Sequence, residues 1–337
     1  MIGETWSIIE RLPEVSFRAP RRPDPAYLPL LAKSLKTDIR YQIPANFQVG
    51  AGDTYFSGKA LGKLARILLI TEEVKEICDA NERDNEYADV CANSSEYIPT
   101  DEETASALAQ LRKGVEVWLR GNGQAPFVYD PSWGGVVSCG CTYRNGICLN
   151  KLPNCPAFVD KLLNFGSGMY NDHHFHYGYH IYAAAALSHF DKEWGREYFE
   201  DVLLLVRDIA NPSDDDASFP TFRHKDWYQG HSWANGVGIT FLNGMNQESS
   251  SEAIASYEAV ALFGKAMHSA FDDVGDAEKI AVCDDIHRVG LVMTATELRS
   301  TKRYYQIQEN NKIYPDEYEA NVVGIMWSTM THFGTWL

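Results

Sequence analysis

The chain has 337 residues, 45% of them hydrophobic and 12% aromatic, which is typical of a globular protein with a large core and not of a disordered one. Its net charge of −16 argues against a nucleic-acid partner or an anionic membrane surface, because both need clustered Lys and Arg. No apolar run approaches the roughly 20 residues of a membrane-spanning helix. We therefore expect no nucleic-acid and no membrane partner, and a neutral ligand.

The first part of the chain changes from a proline-rich segment to a helical pattern. Residues 1–50 carry many prolines and little periodicity, which predicts an irregular segment that wraps the rest of the protein. From Asp53 onward the apolar residues recur at helical spacing, which predicts a helix. Residues 79–100 are acidic and rich in turn-forming residues, so we expect a solvated excursion there.

Helical patterns dominate the remainder. Thr100 and Glu103 fit a capping box that opens a helix to about Leu119. Between Pro126 and Pro156, short β-capable runs predict a loop or small hairpin inserted between helices. The later helical patterns cover residues 156–165, 171–190, 194–210, 252–271, 276–298 and 316–332. Amphipathic helices with long loops and few strands predict an all-α toroid or bundle.

The seven cysteines are typical of a secreted protein. Those outside the helical patterns lie in polar or Gly/Pro/Asn-rich loops, and no Cys-x-x-Cys pair is present, which favours local disulfide staples over zinc ligation. Cys283 lies in a helical pattern and is expected to be a buried free thiol. Asn93-Ser-Ser is a glycosylation sequon, yet no signal peptide is visible at the N-terminus. We therefore expect a fragment of a longer secreted or cell-wall protein, whose leader is not present in this chain.

The first chemically unusual stretch is Tyr170-Asn-Asp-His-His-Phe-His-Tyr-Gly-Tyr-His180. It runs into an Ala/Leu-rich segment that predicts a helix, with Asn171 or Asp172 as a plausible N-cap. Asp172 and His176 are then at positions i and i+4, side by side on one face. A buried helix start crowded with ionisable groups is costly unless those groups bond to one another or to a ligand. This stretch therefore indicates a site.

A second stretch, Asn246-Gln-Glu-Ser-Ser-Ser-Glu252, precedes the helical pattern from Ala253. Glu248 and Glu252 form another i, i+4 pair, with Ser250 or Ser251 as a candidate cap. Between the two stretches, residues 223–233 are rich in Trp, Tyr and His, which suits stacking on sugar faces. Two carboxyl groups across an aromatic groove are what glycoside hydrolysis needs.

Each of these features has a structural alternative. Asp172 could be only an N-cap, and the nearby histidines could ligate a zinc ion with it. Glu248 and Glu252 could be solvated acids of a first helical turn, and the aromatic residues could belong to the core. Tyr55 and Lys59, at positions i and i+4 near the start of the first helix, could be a snorkelling surface pair.

Taken together, these stretches resemble glycoside hydrolase family 81, the endo-1,3-β-glucanases. The resemblance covers nearly the whole chain from about Lys36. It rests on residues 170–179, Asp226-Trp-Tyr with His231-Ser-Trp233, Gln247-Glu-Ser-Ser-Ser-Glu252, Tyr55-Phe-Ser-Gly-Lys-Ala-Leu61, Asp130-Pro-Ser-Trp-Gly-Gly135 and Thr335-Trp336. It implies an (α/α)6 barrel over residues 51–337 that hydrolyses internal β-1,3 links of glucans such as laminarin, with inversion and without a metal or other cofactor. From the resemblance we also expect this chain to lack the β-sandwich domain that precedes the barrel in the family.

The resemblance also implies roles for single residues. Asp172 falls on the general acid, Glu252 on the usual general base, and Glu248 on a neighbouring essential carboxylate. The residues matched to substrate binding are Tyr55, Lys59, His174, His176, Asp226, His231 and Trp233. We therefore expect a monomeric inverting endo-β-1,3-glucanase whose partner is β-1,3-glucan.

Two other classes of protein remain open from the sequence. A glucan-binding receptor or elicitor-type protein with little turnover would use the same recognition surface, although the retained carboxylates disfavour it. A polysaccharide lyase on an α/α barrel would need cations for uronate carboxylates, and this region is poor in Arg.

Overall fold

The computed structural model describes residues 7, 9–80, 85–120, 123–150, 153–237 and 242–334. The α-helices in these ranges are α1 (Leu28–Asp38), α2 (Thr54–Ala80), α3 (Asn85–Ser94), α4 (Asp101–Leu119), α5 (His173–Phe190), α6 (Lys192–Ala210), α7 (Ser250–Asp272) and α8 (Ala277–Tyr304). The strands are short: β1 (Phe127–Asp130), β2 (Gly135–Ser138), β3 (Tyr143–Arg144), β4 (Ile147–Cys148), β5 (Asn246–Gln247), β6 (Ile325–Trp327) and β7 (Thr331–His332). The predicted all-α class, a helical toroid with minor hairpins, is confirmed.

Three pairs of packed helices, α2 with α4, α5 with α6 and α7 with α8, form the frame of the described part of the fold. Helices α2, α5 and α7 lie side by side as an inner layer, and α4, α6 and α8 pack behind them. The inner helices approach closely at two glycines. A Cβ on Gly58 would lie 2.8 Å from Cβ of Tyr179, and one on Gly178 would lie 2.6 Å from Cβ of Ser256. Only glycine therefore allows the inner helices to run this close together.

The core is centred on α5. Its run from Ala183 to Leu187 is buried, because α2, α4, α6 and α7 surround the helix. Small alanines in this run let the neighbouring helices approach without voids. Thr54 at the start of α2 contacts His176 near the start of α5, and Glu72 farther along α2 contacts His189 near the end of α5. Helices α2 and α5 are therefore parallel. The close approach of α7 to α5 also lies near the starts of both helices, so the N-terminal ends of the inner helices meet at one end of the fold.

Two predictions in the first hundred residues are wrong in part. The segment predicted to be irregular, 1–50, contains helix α1, where Pro29 stands in the first turn. A proline is tolerated there because its missing N–H would have no helical partner. The excursion predicted for residues 79–100 contains helix α3, which packs on α1 and is tied to α2 by the Cys78–Cys91 disulfide.

Two helical predictions later in the chain are also wrong. Residues 156–165 form short 3-10 turns, because Asn164 and Phe165 adopt left-handed backbone angles that end any α-helix. Residues 316–332 contain β6 and β7, which form an antiparallel sheet with β5. The family motif Thr335-Trp336 lies outside the described residues.

The predicted insertion between Pro126 and Pro156 is confirmed as two hairpins, β1–β2 and β3–β4. The expected local disulfides are confirmed as well. They are Cys78–Cys91, Cys139–Cys155 and Cys141–Cys148, and Cys283 is a buried free thiol. Among the described residues, no helix has both the length and the apolarity needed to cross a membrane.

Candidate active site

The candidate site lies where the inner helices begin. Helix α2 contributes Tyr55 and Lys59, α5 contributes His176 and Tyr179, and α7 contributes Glu252. Because the N-terminal end of an α-helix carries partial positive charge, three such ends together favour negative groups between them. The fold therefore brings carboxylates, a lysine and aromatic rings from distant parts of the sequence to one place.

Asp172 stands immediately before α5 and is only 7% exposed. Its backbone is left-handed, with φ of 59°, and its N–H donates to the carbonyl oxygen of Ala234 over 2.8 Å. One carboxylate oxygen accepts from Nδ2 of Asn171 over 2.8 Å, and the other has no hydrogen-bond partner. Asp172 occupies the N-cap position, but its side chain makes no capping hydrogen bond. The interpretation of Asp172 as only an N-cap is therefore wrong.

Burial and neighbouring charge favour the protonated form of Asp172. Burial raises the pKa of Asp172 well above its ordinary value, and the negative charges of Glu248 and then Glu252 raise it further. Burial also raises the pKa of Glu248, to about 7, with a further contribution from Glu252. A carboxylic acid held protonated near neutral pH is what a general acid requires. The site can therefore supply a proton from Asp172.

Glu252 lies in the first turn of α7 and has two positively polarised neighbours. The hydroxyl of Tyr179 donates to Oε1 of Glu252 over 2.5 Å, and Nζ of Lys59 lies 3.8 Å from the same oxygen. Lys59 in turn donates to the hydroxyl of Tyr55 over 2.8 Å. These contacts orient the carboxylate and compensate its negative charge. The interpretation of Tyr55 and Lys59 as a mere surface pair is therefore wrong.

Glu248 is positioned differently from the sequence-based prediction. It follows strand β5, and α7 begins only at Ser250, so Glu248 and Glu252 are not an i, i+4 pair on a helix. The predicted caps Ser250 and Ser251 are also wrong, since Ser249 occupies the N-cap position and makes no capping bond. Backbone hydrogen bonds connect β5 to Asp172 through Ala234. The N–H of Ala234 donates to the carbonyl of Asn246 over 2.7 Å, and the carbonyl of Ala234 accepts from the N–H of Asp172.

His176 is almost fully buried beneath the aromatic residues of the site. Its Nδ1 lies 2.6 Å from the hydroxyl of Thr54, and its ring centre lies 5.4 Å from that of Tyr55. Burial lowers the pKa of His176 well below its ordinary value, which favours the neutral ring. In this conformation His176 supports Tyr55 rather than offering a charge to a ligand.

The residues predicted to bind substrate in the second aromatic stretch have mainly structural contacts. The carboxylate of Asp226 accepts from the N–H groups of Tyr228 and Gln229, and from Nε1 of Trp233 over 3.2 Å. His231 is fully buried and bonds to Oε1 of Gln229 over 2.7 Å. These positions argue against direct substrate contact by Asp226 and His231.

His174 is also fully buried. Its ring lies 4.3 Å from that of His224, with an interplanar angle of 30°, and neither ring nitrogen has a hydrogen-bond partner. Direct substrate contact by His174 is therefore not supported either. The described residues hold no group of three or more His, Cys, Asp or Glu side chains that could ligate a metal ion.

A cavity of about 540 Å³ lies beside Glu252. Its lining includes Lys59, Tyr179 and Glu252 of the site, Arg66 and Glu258 of the inner helices, and residues 16 and 18–20 of the N-terminal segment. Asp172 and Glu248 are not among its lining residues, so the cavity adjoins the site at Glu252.

Comparison with known sequences assigns this chain to a family. A sequence profile described as "Glycosyl hydrolase family 81 C-terminal domain" matches residues 24–337. The chain belongs to glycoside hydrolase family 81. Over 292 residues this family 81 chain is 32% identical to a glucan endo-1,3-beta-D-glucosidase of Glycine max, covering 84% of the chain and 35% of that relative.

Further relatives support the assignment to family 81. A glucan endo-1,3-beta-D-glucosidase of Arthroderma benhamiae is 30% identical over 347 residues, which cover 99% of the chain and 32% of the relative. A solved family 81 structure from Clostridium thermocellum matches with a TM-score of 0.63 and 26% identity, covering 98% of this chain and 37% of that one. The chain spans about a third of the length of the curated relatives it matches.

For several residues of this family 81 chain, the sequence did not predict a place in the site. Tyr179 lies within the quoted motif, but its bond to Glu252 could not be foreseen. Phe165 and Asn164 lie in a segment that the sequence predicted to be helical. Asn171 was considered only as a cap, whereas its amide bonds to Asp172. The signal that could have indicated Asn164, Phe165 and Asn171 is their position, because they are polar or aromatic residues shortly before helix α5.

Proposed function

We propose that this chain is the catalytic part of an endo-β-1,3-glucanase that hydrolyses internal β-1,3-glucosidic links in glucans such as laminarin. The observation that carries the proposal is Asp172, a buried acid with a raised pKa and one unpartnered oxygen, facing the charges of Glu248 and Glu252. The names of the family relatives, glucan endo-1,3-beta-D-glucosidases from a plant and a fungus, support the substrate class.

In the proposed mechanism Asp172 is the general acid and Glu252 the general base. The glycosidic oxygen takes the proton of Asp172 as its bond to the anomeric carbon breaks. A water oxygen bonds to that carbon from the opposite face and loses a proton to Glu252. Glu248 positions this water and, through its charge, keeps Asp172 protonated. One displacement from the opposite face inverts the anomeric configuration.

The wider assignments follow from the same site. Residues 51–337 form the proposed catalytic domain, with 1–50 as a wrapping segment. Tyr55, Lys59 and Trp233 remain proposed sugar contacts, and the proposed role of His176 in substrate binding is to position Tyr55. Hydrolysis of this kind needs no cofactor. Because all three inner helices come from one chain, we propose a monomer. Three disulfides support action outside the cell, on cell-wall glucan.

The test is release of reducing sugar from laminarin, with the products followed by proton NMR to read the anomer formed first. We expect the wild type to release the inverted anomer, and Asp172→Asn and Glu252→Gln to abolish release. Asp285→Asn is the matched control, because this carboxylate is exposed and pairs with Arg288 on the surface of α8. Each variant is assayed with and without EDTA.

The other outcomes decide between the alternatives. Loss of wild-type activity with EDTA would require a metal. Binding of glucan by a folded wild type without any hydrolysis would favour a receptor. Retention of the anomeric configuration would contradict the single-displacement mechanism and leave the hydrolase assignment in place.

A further inference from the structure

Phe165 has an unfavourable backbone conformation next to the carboxylates. Three consecutive residues are left-handed: Asn164 with φ 51° and ψ 48°, Phe165 with φ 56° and ψ 23°, and Gly166 with φ 83° and ψ 24°. Glycine adopts this region freely and asparagine tolerates it, but a bulky aromatic residue is disfavoured there. Such strain persists only where the surroundings enforce it, and it is concentrated at functional sites.

The contacts that enforce this conformation come from the candidate site. Oδ1 of Asn164 accepts from the backbone N–H of Thr54 over 2.9 Å, at the start of α2. Nδ2 of Asn171 donates to the carbonyl oxygen of Phe165 over 2.9 Å and to Oδ2 of Asp172 over 2.8 Å. One amide group therefore holds both the backbone of Phe165 and the carboxylate of Asp172. The orientation of Phe165 is fixed relative to the acid.

The strained conformation exposes an aromatic ring instead of burying it. Phe165 is 44% exposed and Phe56 is 53% exposed, with ring centres 6.2 Å apart. The ring of Tyr55 lies 5.4 Å from Phe165 and 6.0 Å from Tyr179, whose hydroxyl bonds to Glu252. Contiguous aromatic surface thus leads from Phe165 toward the proposed base. Exposed phenylalanines are costly unless a ligand covers them.

We propose that Phe165 and Phe56 form a stacking platform for a glucosyl unit of the glucan bound at Asp172. The proposal rests on the proposed function. The occupant is a sugar because each face of a β-glucopyranose ring presents C–H groups while its hydroxyls point outward. A phenyl ring covers such a face without needing a hydrogen bond. The platform is continuous with the carboxylate cluster through Asn171 and Tyr55, so one glucan chain can contact both.

The test separates the ring from the backbone. In the Glu252→Gln background, which keeps Asn171 bonded to Asp172, calorimetry measures the affinity for laminarihexaose. We expect Phe165→Gly to weaken binding about tenfold by removing the aromatic face, while the melting temperature stays equal or rises because glycine relieves the strain. Phe165→Trp should restore the affinity. Leu162→Ala is the control, an exposed apolar residue of the same segment with an ordinary φ of −102°.

The results that would overturn the platform differ from the result that would overturn the proposed function. Unchanged affinity in Phe165→Gly, with wild-type protein that hydrolyses laminarin, would overturn the platform alone. Loss of affinity that Phe165→Trp does not restore would also overturn it, since only the backbone would then matter. If Phe165→Gly does not fold, Phe165→Asn gives the same comparison, because asparagine also accepts left-handed angles. A wild type that hydrolyses no laminarin would instead defeat the proposed function.

Discussion

The hydroxyl of Tyr179 lies 2.5 Å from Oε1 of Glu252, although the two residues are 73 positions apart in the chain. The contact exists because α5 and α7 pack closely at Gly178 and Ser256, within the first two turns of each helix. Glu252 therefore has a fixed hydrogen-bond donor on Oε1.

The Tyr179–Glu252 bond gives the first prediction. Tyr179→Phe keeps the ring but removes the donor, and a hydrogen bond to a charged group contributes about 1.5–3 kcal/mol. We expect kcat/KM on laminarin to fall roughly tenfold to a hundredfold. Tyr129→Phe is the matched control, because Tyr129 lies on strand β1 and its hydroxyl donates to the backbone carbonyl of Ser218. Equal rates in both variants would show that Tyr179 does not position the base.

The coupling of Asp172 with Glu248 gives a second prediction, on the pH profile. The general acid must be protonated, so kcat/KM should fall as pH rises through the raised pKa of Asp172. Glu248→Gln removes the larger of the two neighbouring charges, so the pKa of Asp172 should decrease. We therefore expect the alkaline limb of the profile to move to lower pH in Glu248→Gln. An alkaline limb at the same pH in both proteins would contradict the coupling.

The burial of Asp172 gives a third prediction: Asp172→Asn should stabilise the protein although it abolishes activity. The pKa of Asp172 is raised in the folded state, so the unfolded chain ionises first as pH rises. The folded state then binds more protons than the unfolded one, and the free energy of unfolding falls until pH passes the folded pKa. Asp172→Asn has no such group. We expect its melting temperature to exceed that of the wild type by more at about pH 8 than at about pH 4. A gain that does not grow with pH would contradict the assigned protonation of Asp172.

Local signals in the sequence were enough for several elements of the fold. Thr100 and Glu103 form the predicted capping box, with each side chain bonded to the other residue's backbone N–H. By contrast, β6 and β7 were misassigned because both are very short, and β6, which pairs with β7, also pairs with β5, a strand far away in sequence. Pro29 was counted as evidence for irregular structure because composition does not show that a proline occupies a first helical turn.

The candidate site was predictable where one motif carries it and not where distant segments meet. Asp172, Glu248 and Glu252 could be named because their stretches are chemically unusual in themselves. His174 and His231 lie in equally unusual stretches, yet both are fully buried. Residue type indicates which chemistry is possible, whereas burial depends on which neighbours pack on the residue. The role proposed for Phe165 depends on backbone angles that no local pattern encodes.

A buried ion pair fixes the loop that follows Phe222. Nζ of Lys225 lies 2.7 Å from Oε2 of Glu297 on α8, and both side chains are fully buried. Lys225 also donates to the carbonyl of Gly230 over 2.6 Å, and Glu297 accepts from the N–H and hydroxyl of Ser232. The bonds of Glu297 connect α8 to Lys225 and Ser232, and the bond from Lys225 to Gly230 lies within the loop, so this group fixes residues 225–232 against α8.

This pair gives the last prediction. Glu297→Leu leaves the Lys225 ammonium buried without its partner, and breaking a buried pair in this way costs about 3–5 kcal/mol of unfolding free energy. Replacing both residues, Lys225→Met with Glu297→Leu, removes the uncompensated charge and should recover most of that loss. The control pair is Lys192–Asp273, which is partly exposed, so Lys192→Met should cost no more than about 1 kcal/mol. Urea denaturation measures all four proteins. A double variant no more stable than Glu297→Leu alone would show that the loop depends on the hydrogen bonds to Ser232 and not on the charge pair.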